Sequence, residues 1–401
     1  MKGESEKQIK EAESAELEQS SFSLSALNSE LKIGFDGKRA ANNLTGLGNY
    51  SRSLIESLAK QFPKNQYLVY TAKVKSARQI DNFFAKENVE LKLPKSGSFL
   101  WRSLNILKDL VKDEVHIFHG LSQEIPLAIE HTRIKSVVTI HDLIFLRFPK
   151  YYKFIDRKLY GWKSKSACKR ADRIIAISEK TKADIIEFYG INPEKIEVIY
   201  QSCDDIFKSP FDETTQKRIN STYKLPDKFI LNVGTIEERK NLKLIIQALK
   251  HVDEEYKLVV IGKRTGYFKT VEKEIEKLGL AKRVIFLQNI PFSDLPGIYQ
   301  LAKIFIYPSF YEGFGIPIIE ALYSGVPTIA ATGSCLEEAG GPDSVYINPN
   351  DSEGLSTAIN NVISSSTLQK EMKSKGLEFV QKFNSPLVTQ QLINCYKSIL
   401  S

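Results

Sequence analysis

The sequence predicts an α/β protein made of two successive doubly wound units that face each other across a cleft. Three observations carry that reading. From Leu31 onward, short apolar runs of strand length alternate with helix-length segments, the pattern of a parallel sheet covered on both faces. The alternation pauses over residues 202–225, a polar stretch that reads as a linker, and then restarts. Finally, 401 residues are too many for one ordinary core and suit two.

Taken in order, residues 1–30 are rich in Glu and Ser and poor in apolar side chains; they are expected to be a mobile tail. The first unit spans 31–205. Its strand candidates are LKIGFDG, QYLVYTA, VHIFHG, SVVTIHD and ADRIIAIS, with helices expected over 50–61 and 179–188. The second unit spans 206–383, with strands KFILNVG, YKLVVIG, RVIFLQN, KIFIYPS and PTIAAT and helices over 241–249 and 270–278. Residues 384–401 contain an amphipathic helix, SPLVTQQLINCYKSIL. In sheets of this kind ligands bind beyond the carboxyl ends of the strands.

Bulk properties exclude several classes. No apolar run approaches the ~18–20 residues of a membrane span, and the polar N-terminus lacks the apolar core of a secretion signal, so a cytoplasmic protein is expected. Cys168, Cys203, Cys335 and Cys395 are far apart and form no C-x-x-C pair, which argues against a disulfide framework or a zinc site. The net charge of +8 is concentrated: residues 147–173 hold ten Lys/Arg against two Asp, equal to the whole excess. Arg147, Lys150, Lys153, Arg157 and Lys158 are interleaved there with Trp162 and five Phe/Tyr rings. That mixture suits an anionic membrane at the inner face of the cell membrane or a lipid-linked acceptor. A solvated helix face with some buried rings is the plain alternative. Single-stranded nucleic acid fits less well and is not expected as a partner.

The most informative stretch is KIFIYPSFYEGFGIPIIEALYSGVPTIAAT, residues 303–332. It reads as strand, glycine loop, helix N-terminus. Pro317 suits the first helical turn, where its missing N–H costs nothing, and Gly325 suits the helix end. Free N–H groups and the positive end of a helix dipole make an anion or polar-ligand site. Glu312 and Glu320 flank it. A carboxylate repels phosphate, so the pair makes sense as acceptors for sugar hydroxyls, unless one caps the helix and the other sits idle on the surface. In VGTIEERKNL, Gly234, Arg239 and Lys240 follow a strand, where two cations can neutralise a diphosphate leaving group. They are otherwise an exposed Arg-Lys before a helix. Lys263, after VVIG, lines the same edge. No D-x-D triplet occurs in the sequence, so a bound metal is not favoured. In the first unit, Gly46 and Gly48 of FDGKRAANNLTGLGNYSRSL let the backbone approach a ligand just before a helix. Ser51 stands where the dinucleotide fingerprint needs its third glycine.

These segments carry a resemblance. EGFGIPIIEALYSGVP places seven residues between Glu312 and Glu320 and resembles the E-x7-E signature of the retaining, two-Rossmann-domain glycosyltransferases of family 4, with the GT-B fold, bacterial polysaccharide mannosyltransferases among them. The similarity extends over nearly the whole chain from Leu31. It implies transfer of a hexose, with mannose from GDP-mannose the first choice and UDP-sugars open, from a nucleotide-diphosphate donor to a glycan or polyprenyl-diphosphate-linked acceptor, without a cofactor. Glu320 would bind the ribose hydroxyls. Glu312, with Gly313 and the backbone of Phe314, Gly315 and Ile316, would hold the transferred sugar. Arg239 and Lys240 would hold the diphosphate. HDLIFLRFPKYY resembles the family's sugar-contacting histidine segment and points to His141; Asp142 is the nearest guess for a nucleophile, and His119 could line the cleft. The C-terminal helix would cross back to the first unit.

Two departures stand out: YQSCDD (residues 200–205) replaces the usual Asn-Gly turn near the linker, and Glu337 stands where a proline is common. The rival readings are a nucleotide-sugar epimerase or a phosphorylase on the same fold, a non-catalytic sugar- or lipid-binding subunit, and an NAD-dependent enzyme, which the missing dinucleotide fingerprint disfavours.

Overall fold

A computed structural model describes residues 30–44, 46–94 and 101–401. Apart from Glu30, the segment expected to be a mobile tail lies outside the described residues. The chain forms two parallel sheets. The first has strands β1 (Lys32–Asp36), β2 (Gln66–Tyr70), β3 (Val89–Lys92), β4 (Ile117–Gly120), β5 (Lys135–Ile140), β6 (Arg173–Ala176) and β7 (Ile196–Val198), in the order β3-β2-β1-β4-β5-β6-β7. The second has β8 (Phe229–Val233), β9 (Lys257–Ile261), β10 (Val284–Leu287), β11 (Ile304–Tyr307), β12 (Thr328–Ala331) and β13 (Val345–Ile347), in the order β10-β9-β8-β11-β12-β13. The fold class is therefore the one expected.

Alternate side chains of a strand enter different cores, as a sheet covered on both faces requires. On β8, Phe229 and Leu231 join one cluster and Ile230 the other. Three strands, β3, β7 and β13, went unread in the sequence. Each is a sheet edge of three or four residues, too short and too mixed in polarity to show a pattern.

Nine helices matter below: α1 (Lys38–Asn42), α2 (Gly46–Gln61), α3 (Phe154–Arg170), α4 (Glu179–Tyr189), α5 (Glu213–Tyr223), α6 (Leu242–Leu249), α7 (Ile316–Tyr323), α8 (Leu336–Gly340) and α9 (Ser385–Leu400). Two expectations are corrected. Residues 202–225 are not an irregular linker, because they contain α5, capped by Asp212 Oδ1 accepting from the Thr215 N–H at 2.7 Å. Phe207 and Ile219 from this stretch are fully buried in the second sheet's core. Ile219 is the one buried residue of α5, so the helix has no apolar stripe to announce it. Second, α2 begins at Gly46, so Gly46 and Gly48 lie in a helical turn rather than a loop. Gly48 is there for packing: a Cβ on it would sit 1.8 Å from the Asn43 carbonyl oxygen.

α9 packs on the first sheet, with Val388, Leu392 and Tyr396 in one cluster with Ile33, Phe35 and Leu58. Tyr396 also accounts for His119, whose Nδ1 lies 2.6 Å from the tyrosine hydroxyl and whose Nε2 lies 2.7 Å from Thr139 Oγ1. His119 is thus a fully buried core residue and does not line the cleft. Among the described residues no helix is long and apolar enough to cross a membrane.

Candidate active site

Both sheets reverse their strand order between two adjacent strands, β1 and β4 in the first, β8 and β11 in the second. The loops beyond those strand ends form the crevice where such sheets hold ligands. In the second sheet the loop after β8 runs from Gly234 through a short 3₁₀ turn, Glu238–Lys240, into α6. Gly234 has φ +151°, and a Cβ on it would sit 2.9 Å from Lys240 Cδ. Glycine is what lets the lysine lie across the strand end. Asn241 then turns the chain in the left-handed region at φ 56°, donating to the carbonyls of Pro308 and Pro349 at 3.2 and 2.7 Å. The loop after β11 brings Glu312 against this turn. Its Oε2 is 2.7 Å from Arg239 Nη1 and its Oε1 is 2.8 Å from Lys240 Nζ. The Tyr307 hydroxyl, 3.1 Å from Glu312 Oε1, completes the cluster, and Arg239 also reaches the Tyr311 carbonyl at 2.5 Å.

Burial alone would raise the Glu312 carboxyl, but Lys240 and then Arg239 outweigh it and hold it at about 2. One carboxylate thus sits between two cations, and Glu237 Oε1, 2.6 Å from Arg239 Nη2, pairs with the arginine from its other side. Glu320, on the next element, has a different setting. Its Oε2 accepts from the Tyr299 hydroxyl at 2.9 Å, and burial pushes its carboxyl up to about 8. Between them, α7 begins at Ile316 with Pro317 in its first turn, and Gly325, at φ +69°, follows its end. Gly315 sits where a Cβ would be 2.8 Å from the Ala339 Cβ. Among the described residues none accepts from the main-chain N–H groups of Phe314, Gly315 and Ile316. They remain open to a ligand at the positive end of the α7 dipole.

A helix N-terminus with open N–H groups, two buried cations and two carboxylates beside a sheet's switch point is a site for a polar, phosphate-bearing ligand. Comparison with known proteins narrows it. The family described as "Glycosyl transferases group 1" matches residues 213–379, and "Glycosyltransferase Family 4" matches residues 44–205. The chain carries both glycosyltransferase domains and is a glycosyltransferase. The O-antigen chain mannosyltransferase B of Escherichia coli is 29% identical over 397 residues, covering 92% of this chain and 100% of the relative. The serotype-specific mannosyltransferase WbdA of Escherichia coli is 28% identical over 297 residues, 70% of this chain but 36% of that longer protein. Among solved structures, HepE of Anabaena, determined with UDP and glucose, has a TM-score of 0.75 at 19% identity, covering 92% of this chain and 100% of its own. The sucrose-phosphate synthase of Thermosynechococcus elongatus gives 0.75 at 18%, covering 92% and 99%. At such identities the structures speak to the fold alone, and that fold is GT-B.

Across the cleft of this glycosyltransferase, the first domain presents the end of β5. His141 touches the signature loop through its main chain: a Cβ on Gly313 would lie 1.9 Å from the His141 carbonyl oxygen. Its imidazole is engaged within its own domain. Nε2 is 2.8 Å from the Leu121 carbonyl and Nδ1 is 3.2 Å from Gln201 Nε2, which makes the ring an Nε2–H tautomer. Burial holds its pKa down at about 4, so it is neutral. Asp142 lies beside it, its carboxyl raised by burial and its Oδ1 accepting from the Ile144 N–H at 3.1 Å. Lys263 is exposed at the end of β9, its carbonyl bound to the Ile236 N–H at 2.9 Å.

The basic-aromatic stretch divides. Arg147 is not part of an exposed cationic surface, because it is paired with Asp184 at 2.7 Å and with Glu187. These acids lie on α4, remote in sequence, so spacing could not show them. Phe148 packs on Tyr311, with ring centroids 5.3 Å apart. Lys150 is 3.6 Å from Glu238. The first half of α3 does remain exposed: Phe154, Ile155 and Trp162 are 64%, 78% and 61% accessible, beside the exposed Lys153 and Lys158. Arg157 and Lys158 lie over the Phe154 ring at 5.3 and 5.5 Å. A cavity of about 490 Å³ opens at this helix, lined by Arg157, Lys158, Lys165, Trp162, Phe188 and Tyr189 among others.

Several residues of the site escaped the sequence reading: Tyr299 and Tyr307, which hold the two glutamates, and Cys335, whose Sγ lies 3.0 and 2.9 Å from the Glu312 and Phe314 carbonyls. The strand-end position of Tyr307 was the one available signal.

Proposed function

We propose that this glycosyltransferase is a retaining, metal-independent mannosyltransferase. It would use GDP-mannose and extend a lipid-linked or growing glycan of a surface polysaccharide at the cytoplasmic face of the membrane. The observation that carries the reading is Glu312 held between Arg239 and Lys240, directly before the open N–H groups of α7. A donor diphosphate arriving there would draw the two cations toward itself, and Glu312 would then accept from hydroxyls of the sugar. Arg239 and Lys240 would stabilise the charge that builds on the departing diphosphate. In front-face substitution the bond from the anomeric carbon to the phosphate oxygen breaks, and the bond to the acceptor oxygen forms on the same side. The acceptor proton passes to the leaving diphosphate. This route asks no base of His141, whose neutral ring would reach the sugar only by giving up its bond to Leu121 or Gln201. Glu320 would take the ribose hydroxyls. The mannose assignment draws on the relatives of O-antigen assembly.

A UDP-hexose is the second reading, favoured by the UDP and glucose in the Anabaena neighbour. A thermal-shift panel of GDP-mannose, GDP, UDP-glucose and UDP in EDTA separates the two. A ligand at ~100 times its dissociation constant adds roughly 2.7 kcal/mol of stability. A shift with the GDP compounds alone supports the proposal; a shift with the UDP compounds alone replaces the donor. A shift that requires Mg²⁺ or Mn²⁺ sinks metal independence. The exposed face of α3 would rest on the anionic membrane that carries the acceptor. Vesicles containing anionic lipid should sediment the protein, and Trp162→Ala with Lys158→Ala should abolish that; equal binding to neutral vesicles would remove the role of lipid charge, and no binding to either would remove the membrane role.

A further inference from the structure

The N-terminus of α4 is capped from the other domain. The first residues of a helix have N–H groups with no partner inside it, and a carboxylate is favoured there by the helix dipole. In α4 that carboxylate is Glu338, on α8 of the second domain. Its Oε2 accepts from the Glu179 N–H at 2.7 Å and its Oε1 from the Lys180 N–H at 3.0 Å. The N-cap residue Ser178 also reaches across, its hydroxyl donating to the Gly313 carbonyl at 2.7 Å. One turn further on, Asp184 accepts from the Tyr311 hydroxyl at 2.5 Å. One end of α4 therefore grips the loop that carries Glu312 at residues 311 and 313, and α8 behind it. α8 is tied to the same loop from within its own domain through Cys335. Each of these four hydrogen bonds crosses the seam, so each breaks when the domains part, while α4 stays anchored in its own domain through Arg147. In the open form water would take both the amides and the carboxylate, so the contact biases closure without welding it.

We propose that Glu338 is a positioning residue, a latch whose carboxylate on the first two N–H groups of α4 sets the closed arrangement in which the Glu312 loop meets the end of β5 at His141. The functional part of this inference rests on the glycosyltransfer reading above; the latch itself does not. Domain closure brings the reacting groups together and excludes water, and a misplacement of about 1 Å can cost on the order of a hundredfold in rate. Glu338 touches neither the diphosphate cluster nor Glu320, so its loss should spare nucleotide binding and weaken transfer.

The test uses the full chain with Glu338→Ala, Glu338→Gln and, as a control, Glu337→Ala, whose carboxylate turns away to Thr332. Hydrogen exchange at the amides of Glu179 and Lys180 needs no donor. Glu338→Ala should speed it roughly tenfold or more, as expected for a hydrogen bond to a charged group. Glu338→Gln, with one acceptor oxygen left, should fall between, and Glu337→Ala should match the parent. With a donor that the parent turns over, Glu338→Ala should lower kcat roughly ten- to a hundredfold, raise the fraction of donor lost to water, and leave GDP or UDP affinity within about twofold. Parent-like exchange in Glu338→Ala overturns the latch. So does a fall in nucleotide affinity that matches the fall in turnover, because that is general damage. If the parent turns over no nucleotide-sugar, the donor assignment fails on its own, and exchange together with solution scattering still decides whether the domains open.

Discussion

Glu312 and Glu320 end one strand–loop–helix unit with seven residues between them, and both are largely buried acids of the same type. Their charge states are nonetheless opposite at neutral pH. Glu312 is held at about 2, because Lys240 and Arg239 outweigh the burial that would raise it. Glu320 has the Tyr299 hydroxyl as its hydrogen-bond partner and, among the described residues, no paired cation, and burial pushes it up to about 8. Spacing places two carboxylates in one site, and the charges around each decide what it does. Glu312 is a permanent anion that stores two cations. Glu320 is largely a neutral acid below about pH 8, and further hydrogen bonds donated to it would favour its carboxylate form.

The comparison can be broken in three ways, from the largest expected effect to the smallest. Glu312→Ala leaves Lys240, at 17% side-chain exposure, buried without its counter-charge, and leaves Arg239, at 14%, with Glu237 alone. Breaking a buried pair from one side typically costs roughly 3–5 kcal/mol, so the melting temperature should fall by many degrees; a parent-like value would show that the cluster holds no such charge. Arg239→Ala combined with Lys240→Ala should slow transfer by roughly 10²–10³, the usual loss of a charge-stabilising donor, worth about 2.7–4 kcal/mol. Near-normal turnover would remove both from the leaving group.

The smallest effect concerns pH. A carboxylate accepting from ribose hydroxyls is favoured in its ionised form, so donor binding lowers the Glu320 pKa from its free value of about 8. By linkage, donor affinity should rise with pH, by at most about tenfold per unit (1.36 kcal/mol), and level off above about 8. Glu312, at about 2, adds no slope in that range. Calorimetric titrations between pH 6 and 9, as a chosen window, should therefore show a slope that Glu320→Gln abolishes. A flat profile in the parent would take Glu320 away from the ribose.

The two faces of the cleft differ in how much the sequence disclosed. The second domain's face is compact in sequence. β11, the glycine loop and α7 are contiguous, and Arg239 and Lys240 follow a strand, so local pattern read with the family resemblance marks them. The first domain's face is assembled from distant segments. The resemblance points His141 at the sugar, yet Leu121 and Gln201 take its two ring nitrogens. Arg147 looked like part of a basic surface, yet Asp184 and Glu187 neutralise it. Both partners of each residue lie 20 or more positions away, beyond the reach of any helical or strand spacing. The polar stretch 202–225 shows the same limit in the fold, because α5 buries Ile219 alone and is held by Asp294 through Arg218 and Tyr223.

By itself the sequence determined the two parallel sheets, their order along the chain and the E-x7-E unit, because burial on both faces imposes apolar runs and a helix start imposes its glycine and proline locally. Tertiary structure alone decided which charges are compensated, which histidines are spent in the core, and that Glu338 caps a helix of the opposite domain. Those outcomes depend on distances between side chains that only the packing of the two domains brings together, and electrostatic interactions act through space without regard to position along the chain.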